Sequence, residues 1–295
     1  MVRADPVDER SFLRRFQLLA LLLIACFLGA WAFAVEPASL RVRHYELALE
    51  RWPHCQPLRV ALLGDLHTGS PWHGRKQLAE IVRLTNEAAP DLVLLAGDFM
   101  IQGVLFGRLV PPDEIAEELG ALETALGTYA VLGNHDHWHD AEEVTAAMLG
   151  AGIVVLEDTA RRIEAPPGLD AFWLAGISDF MTAPHDVERA LRGVPDGAPV
   201  LAFTHNPDLF PSVPERVALT MAAHTHGGQV RFPLLGTPVV PSIYGSRYVR
   251  GHVRERERDL FVTTGLGTSI LPVRFRVPPE ISLLKLRGAA CPVQS

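Results

Sequence analysis

The chain has only three cysteines, Cys26, Cys55 and Cys291, and no Cys-x-x-Cys pair. A zinc ribbon and a thioredoxin-type redox site are thereby excluded. Cys26 lies in an apolar N-terminal run; Cys55 and Cys291 are expected to be unrelated thiols, because nothing in the sequence brings them together. A basic excess is also missing. The formal net charge is −7 at pH 7 and the pI is near 5.9, so no nucleic-acid partner is expected. There is no internal repeat and no low-complexity tract. With 48% hydrophobic and 21% charged residues, the composition is that of a packed globular chain, not a disordered one. Its 295 residues suffice for one large domain or two small ones.

What stands out first is the N-terminus. Leu18 to Val35 carries no charge; Arg14 and Arg15 precede it and Glu36-Pro37 ends it. With Phe16 and Gln17 the run reaches the ~20 residues a helix needs to cross a bilayer. Every face is apolar, unlike the stripe of a helix buried in a soluble core. A cleaved signal peptide is the competing reading, since Ala32-Phe33-Ala34 has the small-x-small form of a cleavage site. The length of the run favours a retained anchor. Leu23-Ile24-Ala25-Cys26 only superficially resembles a lipoprotein site, and Arg14-Arg15 a twin-arginine signal. The expected organisation is a cytoplasmic segment at 1–15, a transmembrane anchor or signal peptide at 16–35, and a folded domain at 40–288. Arg3, Arg10, Arg14 and Arg15 precede the span, against Arg41, Arg43 and Arg51 after it. The bias, which the acids Asp5, Asp8 and Glu9 hardly affect, points to a cytoplasmic N-terminus and an exported domain, which in a two-membrane envelope means an inner-membrane protein with its domain on the periplasmic side.

Past residue 40, strand and helix patterns alternate, which implies α/β architecture. Apolar runs predict strands at Leu58–Leu63, Leu92–Ala96, Thr128–Leu132, Ile153–Leu156, Phe172–Ile177, Val200–Thr204, Leu219–Ala223, Leu260–Thr264 and Ile281–Leu286. Helical periodicity predicts Gln77–Ala88, Pro112–Leu126 and Ala141–Leu149. Arg231–Gly251 is rich in proline and glycine and reads as a long loop, and the charge run Glu255–Asp259 as a solvated face or hairpin.

The strand ends carry the chemistry. Asp65 and His67 follow the first strand and Asp98 the second. Asn134, His135 and Asp136 follow the third, His205 the Val200 strand, and His224 and His226 the Leu219 strand. In an α/β sheet, ligands bind outside the strand C-termini. The spacing of two in Asp65-x-His67 and His224-x-His226 puts both members of each pair on one side of an extended chain. Carboxylate with imidazole and no thiolate suits Mn, Fe, Zn or Ni, and two such ions can clamp a displacement at phosphorus.

Asp65-x-His67, Gly97-Asp98, Gly133-Asn134-His135-Asp136, Thr204-His205 and His224-Thr225-His226-Gly227 resemble the calcineurin-like metallophosphoesterases. Order and spacing match over about 58–230. Later text resembles a membrane-bound bacterial branch: Gly228-Gln229-Val230-Arg231, Tyr244-Gly245, Tyr248-Val249-Arg250-Gly251 and Gly265-Leu266-Gly267-Thr268-Ser269. Ala223 departs from the glycine many members place before His-x-His. The resemblance implies a four-layer sandwich, two mixed β-sheets flanked by helices, preceded here by the N-terminal transmembrane helix. It implies two divalent ions (Mn, Zn or Fe), one on Asp65, His67, Asp98 and His226, the other on Asp98, Asn134, His205 and His224. Asp98 would bridge, and a metal-bridging hydroxide would attack phosphorus. His135 would serve the leaving oxygen, and Asp136 would orient His135 or support a ligand. The implied substrate is a phosphate ester or phosphoanhydride, small or lipid-linked, with UDP-diacylglucosamine one envelope example. That nucleotide sugar is cytoplasmic and conflicts with the expected orientation. The alternatives are a non-catalytic scaffold keeping the fold, and a protein phosphatase.

Other candidates have blander readings. His137 and His139 are expected near the site without ligating, and His73, His185 and His252 on the surface. Asp179 follows a strand as the ligand-type residues do and could line the site, but it is left outside it. Arg247, Tyr248 and Arg250 suit either a phosphate or headgroup contact or the bracing of their loop.

Overall fold

A computed structural model describes residues 9–165 and 169–291. Arg3, Asp5 and Asp8 of the N-terminal charge pattern fall outside them. The chain opens with helix α1 (Glu9–Ala30), continued by a π turn, Trp31–Val35. Over Phe12–Val35 this helix is long and apolar enough to cross a membrane. Its large side chains from Phe12 to Leu28 are exposed.

The remaining elements are β1 (Arg41–Leu49), β2 (Leu58–Leu63), α2 (Arg75–Glu87), β3 (Leu92–Ala96), α3 (Pro112–Leu119), β4 (Thr128–Val131), α4 (Asn134–Gly150), β5 (Val154–Val155), β6 (Thr159–Ile163), β7 (Phe172–Ile177), α5 (Val187–Leu191), β8 (Val200–Thr204), β9 (Leu219–Ala222), β10 (Gly251–Glu255), β11 (Arg258–Val262) and β12 (Glu280–Gly288). They form two six-stranded mixed sheets, ordered β1-β12-β2-β3-β4-β5 and β10-β11-β9-β8-β7-β6. Within the first, β2, β3 and β4 run parallel; within the second, β7, β8 and β9 do.

Strand alternation builds the layers. Val60, Leu62, Leu92 and Leu94 of the first sheet meet Leu174, Leu201, Phe203 and Met221 of the second. The intervening Ala61, Leu63, Val93 and Leu95 face outward and are covered by Leu78 and Ile81 of α2, Ile115 and Leu119 of α3, and Val144 and Met148 of α4. Ala175, Ile177 and Ala202 on the far side are covered by Ala190 and Leu191 of α5. Both sheets are thus apolar on two faces, which is why their strands read as continuous apolar runs. The expected helix–sheet–sheet–helix sandwich is present.

Several expectations need correction. Cys55 and Cys291 are not unrelated thiols: they form a disulfide, with Cα atoms 5.3 Å apart across 236 residues of sequence. The parallel pairing of β1 with β12 brings the two segments together, and Gly288 N–H donates to His54 O beside them. The helix expected over Pro112–Leu126 ends at Leu119, because the Asn86 side chain of α2 accepts from Glu123 N–H and donates to Ala121 O, replacing helical bonds. The helix expected from Ala141 starts at Asn134. Asp140 breaks it, with φ −168° and ψ 104°, and its carboxylate caps Glu142 and Glu143 N–H. The periodicity past this break was legible; the first turn, with its polar, histidine-rich sequence, was not. Strand β1 is a charged edge strand, a composition that resists edge-to-edge pairing and conceals the strand in the sequence. Glu255–Asp259 closes the hairpin of β10 and β11. Arg247 and Tyr248 brace their loop by bonding Glu255.

Candidate metal centre

The C-terminal ends of β2, β3, β4, β8 and β9 converge where the sheets meet. All seven expected ligand side chains are there and buried. Asp65, His67, Asp98 and His226 form one cluster of potential donor atoms, and Asp98, His205 and His224 a second. Asn134 joins the second, its Oδ1 3.2 Å from His205 Nε2. Asp98 belongs to both: its Oδ2 lies 3.5 Å from His67 Nε2 and 3.3 Å from His205 Nε2.

The backbone is strained at this spot. Asp65, His67, Asp98, His224 and His226 all have φ between 39° and 69°, the left-handed region that non-glycine residues rarely adopt. Such strain is held only where surroundings over-determine it. Here the two sheets bind each other through the site. His205 Nδ1 donates to Ala96 O at 2.7 Å, and His224 N–H donates to Asp65 Oδ1 at 2.8 Å. Gly133 is required, since a Cβ there would fall 2.3 Å from Asp98 Oδ1. Ala223 has a simple consequence: its methyl occupies the space where Gly64 would carry a Cβ.

Tautomers follow from the partners. A carbonyl oxygen only accepts, so Nδ1 of His67, 3.0 Å from Met100 O, carries a proton, as does Nδ1 of His205. Each ring then turns Nε2 into the cluster. His67 Nε2 faces His226 Nε2 at 3.1 Å, and His205 Nε2 faces His224 Nδ1 at 3.0 Å. Burial lowers His67 to about 3 and His224 to about 4, and holds His226 well below its usual value. Burial also pushes Asp65 up to about 7. Burial acts to raise Asp98, but His205 beside it holds the carboxylate well below its ordinary value; Asp98 in turn overcomes burial to lift His205 to about 10.

Divalent ions fit this donor set. Facing imidazole nitrogens at 3.0–3.1 Å and a shared carboxylate give converging lone pairs. Asp65 Oδ2 and His224 Nε2 are buried without a hydrogen-bond partner. Buried polar atoms normally have one, so such orphans ask for a ligand.

Asp136 does not touch the His135 ring. Its carboxylate accepts from Asp98, Phe99, Met100 and Gly133 N–H at 2.8–3.0 Å, gripping the loop that carries Asp98. Burial, then the charge of Asp98, raises it to about 7. His135 N–H donates to Asp98 Oδ1, and its ring lies edge-on to His67 with centroids 4.6 Å apart. His135 lines a cavity of about 530 Å³ that opens over the clusters and has Trp138, Met181, Val239 and Ile270 in its walls.

One residue was set outside the site and one was missed in the sequence. Asp179 ends β7 as the ligand-type residues end their strands; Oδ2 caps Met181 and Thr182 N–H, while Oδ1 is buried without a partner. Its position after a strand was a usable signal. Arg274 is fully buried and donates to the carbonyls of Thr264, Gly265, Gly267 and Val277. No local pattern marks it. Burial lowers its guanidinium to about 10. His73, expected at the surface, is buried and shares a hydrogen bond with Pro37 O. His137 is half-buried and lies outside both clusters.

A two-sheet sandwich with carboxylate and imidazole donors converging from both sheets defines a binuclear metallohydrolase type of centre. Residues 58–228 match the calcineurin-like phosphoesterase family. The chain belongs to that family. It is 31% identical over 255 residues to a phosphodiesterase, YaeI, of Escherichia coli, covering 85% of this chain and 90% of the relative. It is 30% identical over 283 residues to a zebrafish transmembrane protein with a metallophosphoesterase domain, spanning 91% of this chain but 62% of that longer relative. An uncharacterized metallophosphoesterase of Bacillus subtilis, YkuE, is 25% identical, with 88% and 91% covered. Among solved structures, the NAD nucleotidase of Haemophilus influenzae aligns with a TM-score of 0.45 at 16% identity, covering 74% of this chain and 46% of the other.

Proposed function

We propose that this chain is a membrane-tethered phosphoester hydrolase that works with two divalent ions. The observation that carries the reading is the pair of buried donor clusters sharing Asp98. Asp65, His67, Asp98 and His226 would hold one ion, and Asp98, Asn134, His205 and His224 the other. Ions bound there supply an activated water and positive charge for a displacement at phosphorus. The protein's part is to fix them. Backbone carbonyls orient the His67 and His205 rings, and Asp136 sets the Asp98 loop. His135, on the cavity lip, donates a proton to the leaving oxygen. The scaffold reading is not favoured, because every ligand-type side chain of the set is in place.

The test is hydrolysis of bis-p-nitrophenyl phosphate by the full chain with Mn²⁺, abolished by a chelator. Metal bound without turnover of any phosphodiester would overturn it. His135→Ala gives a sharper expectation. Loss of a general acid costs roughly 10²–10⁴-fold, and it should do so for an alkyl phosphodiester with a poor leaving group. The loss should be much smaller with p-nitrophenolate, which leaves without a proton. Equal losses on both would assign His135 another role.

The Cys55–Cys291 disulfide supports an oxidising compartment for the domain, in line with the arginine bias across α1. Burial of Glu36 and the bonding of residues 31–37 to the domain support a retained anchor. An external domain tells against a cytoplasmic nucleotide sugar as substrate. Thiol alkylation of the protein in its own membranes should modify Cys55 and Cys291 only after reduction. Labelling without reductant would place the domain in the cytoplasm.

A further inference from the structure

Three loops surround the mouth of the metal-centre cavity: residues 99–111, 226–250 and 263–279. None contains an acidic residue, in a chain whose net charge is −7. They carry the exposed Arg108, Arg231 and Arg276 instead. They also carry exposed apolar side chains at their tips, Phe106 at 82%, Leu234 at 107% and Ile270 at 73%. At each tip that same residue has a left-handed backbone, with φ 64°, 70° and 62°. Glycine or asparagine would relieve the strain. A turn that spends strain on pointing a large apolar group into solvent has its partner outside the domain.

The loops are stitched to one another and to the end of the apolar helix. Leu105 N–H donates to Ile270 O, Ser269 N–H to the Gln229 side chain, and Arg231 N–H to Phe275 O. Next to Phe275, Arg274 N–H donates to Ala32 O in the last turn of the span. The Trp72 indole donates to Phe33 O, and Val277 N–H to Glu36 Oε1. Trp31 and Trp72 are both part-exposed at this junction, as tryptophans are at the edge of a bilayer. The helix end is therefore fixed to the third of these loops, and through it to the other two.

We propose that these loops seat the cavity mouth on the bilayer surface, with Phe106, Leu234 and Leu235 inserted and Arg108, Arg231 and Arg276 on anionic headgroups, so that the enzyme takes an amphiphilic phosphoester directly from the membrane. The occupant of this surface is the lipid leaflet into which α1 runs. Apolar tips interleaved with arginine match an interface of acyl chains and anionic lipid. The apolar walls of the cavity, Trp138, Val239 and Ile270, continue the rim inward to the metal centre and suit the first carbons of an acyl or prenyl chain. The substrate class rests on the hydrolase reading above; the seating does not.

The experiment uses the full chain in vesicles of phosphatidylcholine and phosphatidylglycerol with Mn²⁺. Two substrates share one leaving group: bis-p-nitrophenyl phosphate in solution and hexadecyl p-nitrophenyl phosphate in the bilayer. A variant carrying Phe106→Asp, Leu234→Asp and Leu235→Asp should keep its rate on the soluble diester within about twofold and lose at least about tenfold on the bilayer diester, since inserted apolar area drives interfacial binding. A nitroxide at Leu234→Cys, in a Cys26→Ser background, should relax faster with oxygen than with a water-soluble nickel chelate. A label at Asp196→Cys should do the reverse. Equal rate losses on both substrates, or a Leu234 label open to nickel, overturn the seating. A label shielded from both agents also overturns it, because a second protein copy would then cover the surface. If the parent chain hydrolyses neither diester, the hydrolase reading fails, and the label still decides the seating.

Discussion

Asp98→Asn is expected to cut turnover of bis-p-nitrophenyl phosphate on the order of 10³-fold, with the fold intact. Asp98 is the side chain common to both donor clusters, with Oδ2 within 3.5 Å of His67 and His205. Its Oδ1 accepts from His135 N–H. The substitution removes a negative charge from a buried centre and sets an amide NH₂ in place of one of those acceptors. Several kcal/mol of transition-state stabilisation come from a metal pair, and each 1.36 kcal/mol is tenfold in rate. Titration with Mn²⁺ should show the loss of at least one of two bound ions. Two ions still bound and activity within about tenfold would show that another residue bridges them.

Asp136→Ala should be the most damaging change away from the ligand-type residues. One carboxylate satisfies four backbone N–H groups, those of Asp98, Phe99, Met100 and Gly133. A buried donor without an acceptor costs about 1–3 kcal/mol. Opposing this, the carboxylate is itself raised to about 7 by burial and by Asp98, so its removal relieves some unfavourable charge. Four donors outweigh that relief, and we expect a net loss of about 3 kcal/mol. In thermal denaturation this is a fall of roughly 5–10 °C. Manganese affinity should fall about 10–100-fold as well, as it does when a group supporting a ligand is lost. A fall in stability with unchanged metal affinity would mean that Asp136 serves the fold alone.

The strands of the two sheet centres were legible because both faces are buried, so Leu92–Ala96 and Phe172–Ile177 are apolar throughout, and Leu58–Leu63 and Val200–Thr204 are apolar apart from the exposed Arg59 and the terminal Thr204. The edges were not. Charged β1 and half-exposed β6 carry no such run, because one side or one edge of each faces water. The short α5 is stabilised by packing on β7 and by the Asp186 cap more than by its own periodicity.

The sequence by itself named the candidate donor residues and their order along the chain. Ligand chemistry needs particular side chains, and a parallel sheet places the ends of successive strands along one rim, so Asp65, His67, Asp98, Asn134, His205, His224 and His226 could be read as one group. It also determined the apolar span, a property of composition alone. Only the tertiary structure decided what depends on distance between remote segments. The Cys55–Cys291 bond exists because β1 pairs with β12. Asp136 turns to the Asp98 loop and not to the His135 ring, because β3 and β4 are neighbours. Arg274 draws the carbonyls of Thr264 and Gly267 together beneath the π turn that follows α1. Each of these contacts joins residues whose local sequence does not mark the partner, and it is packing that selects one partner among many.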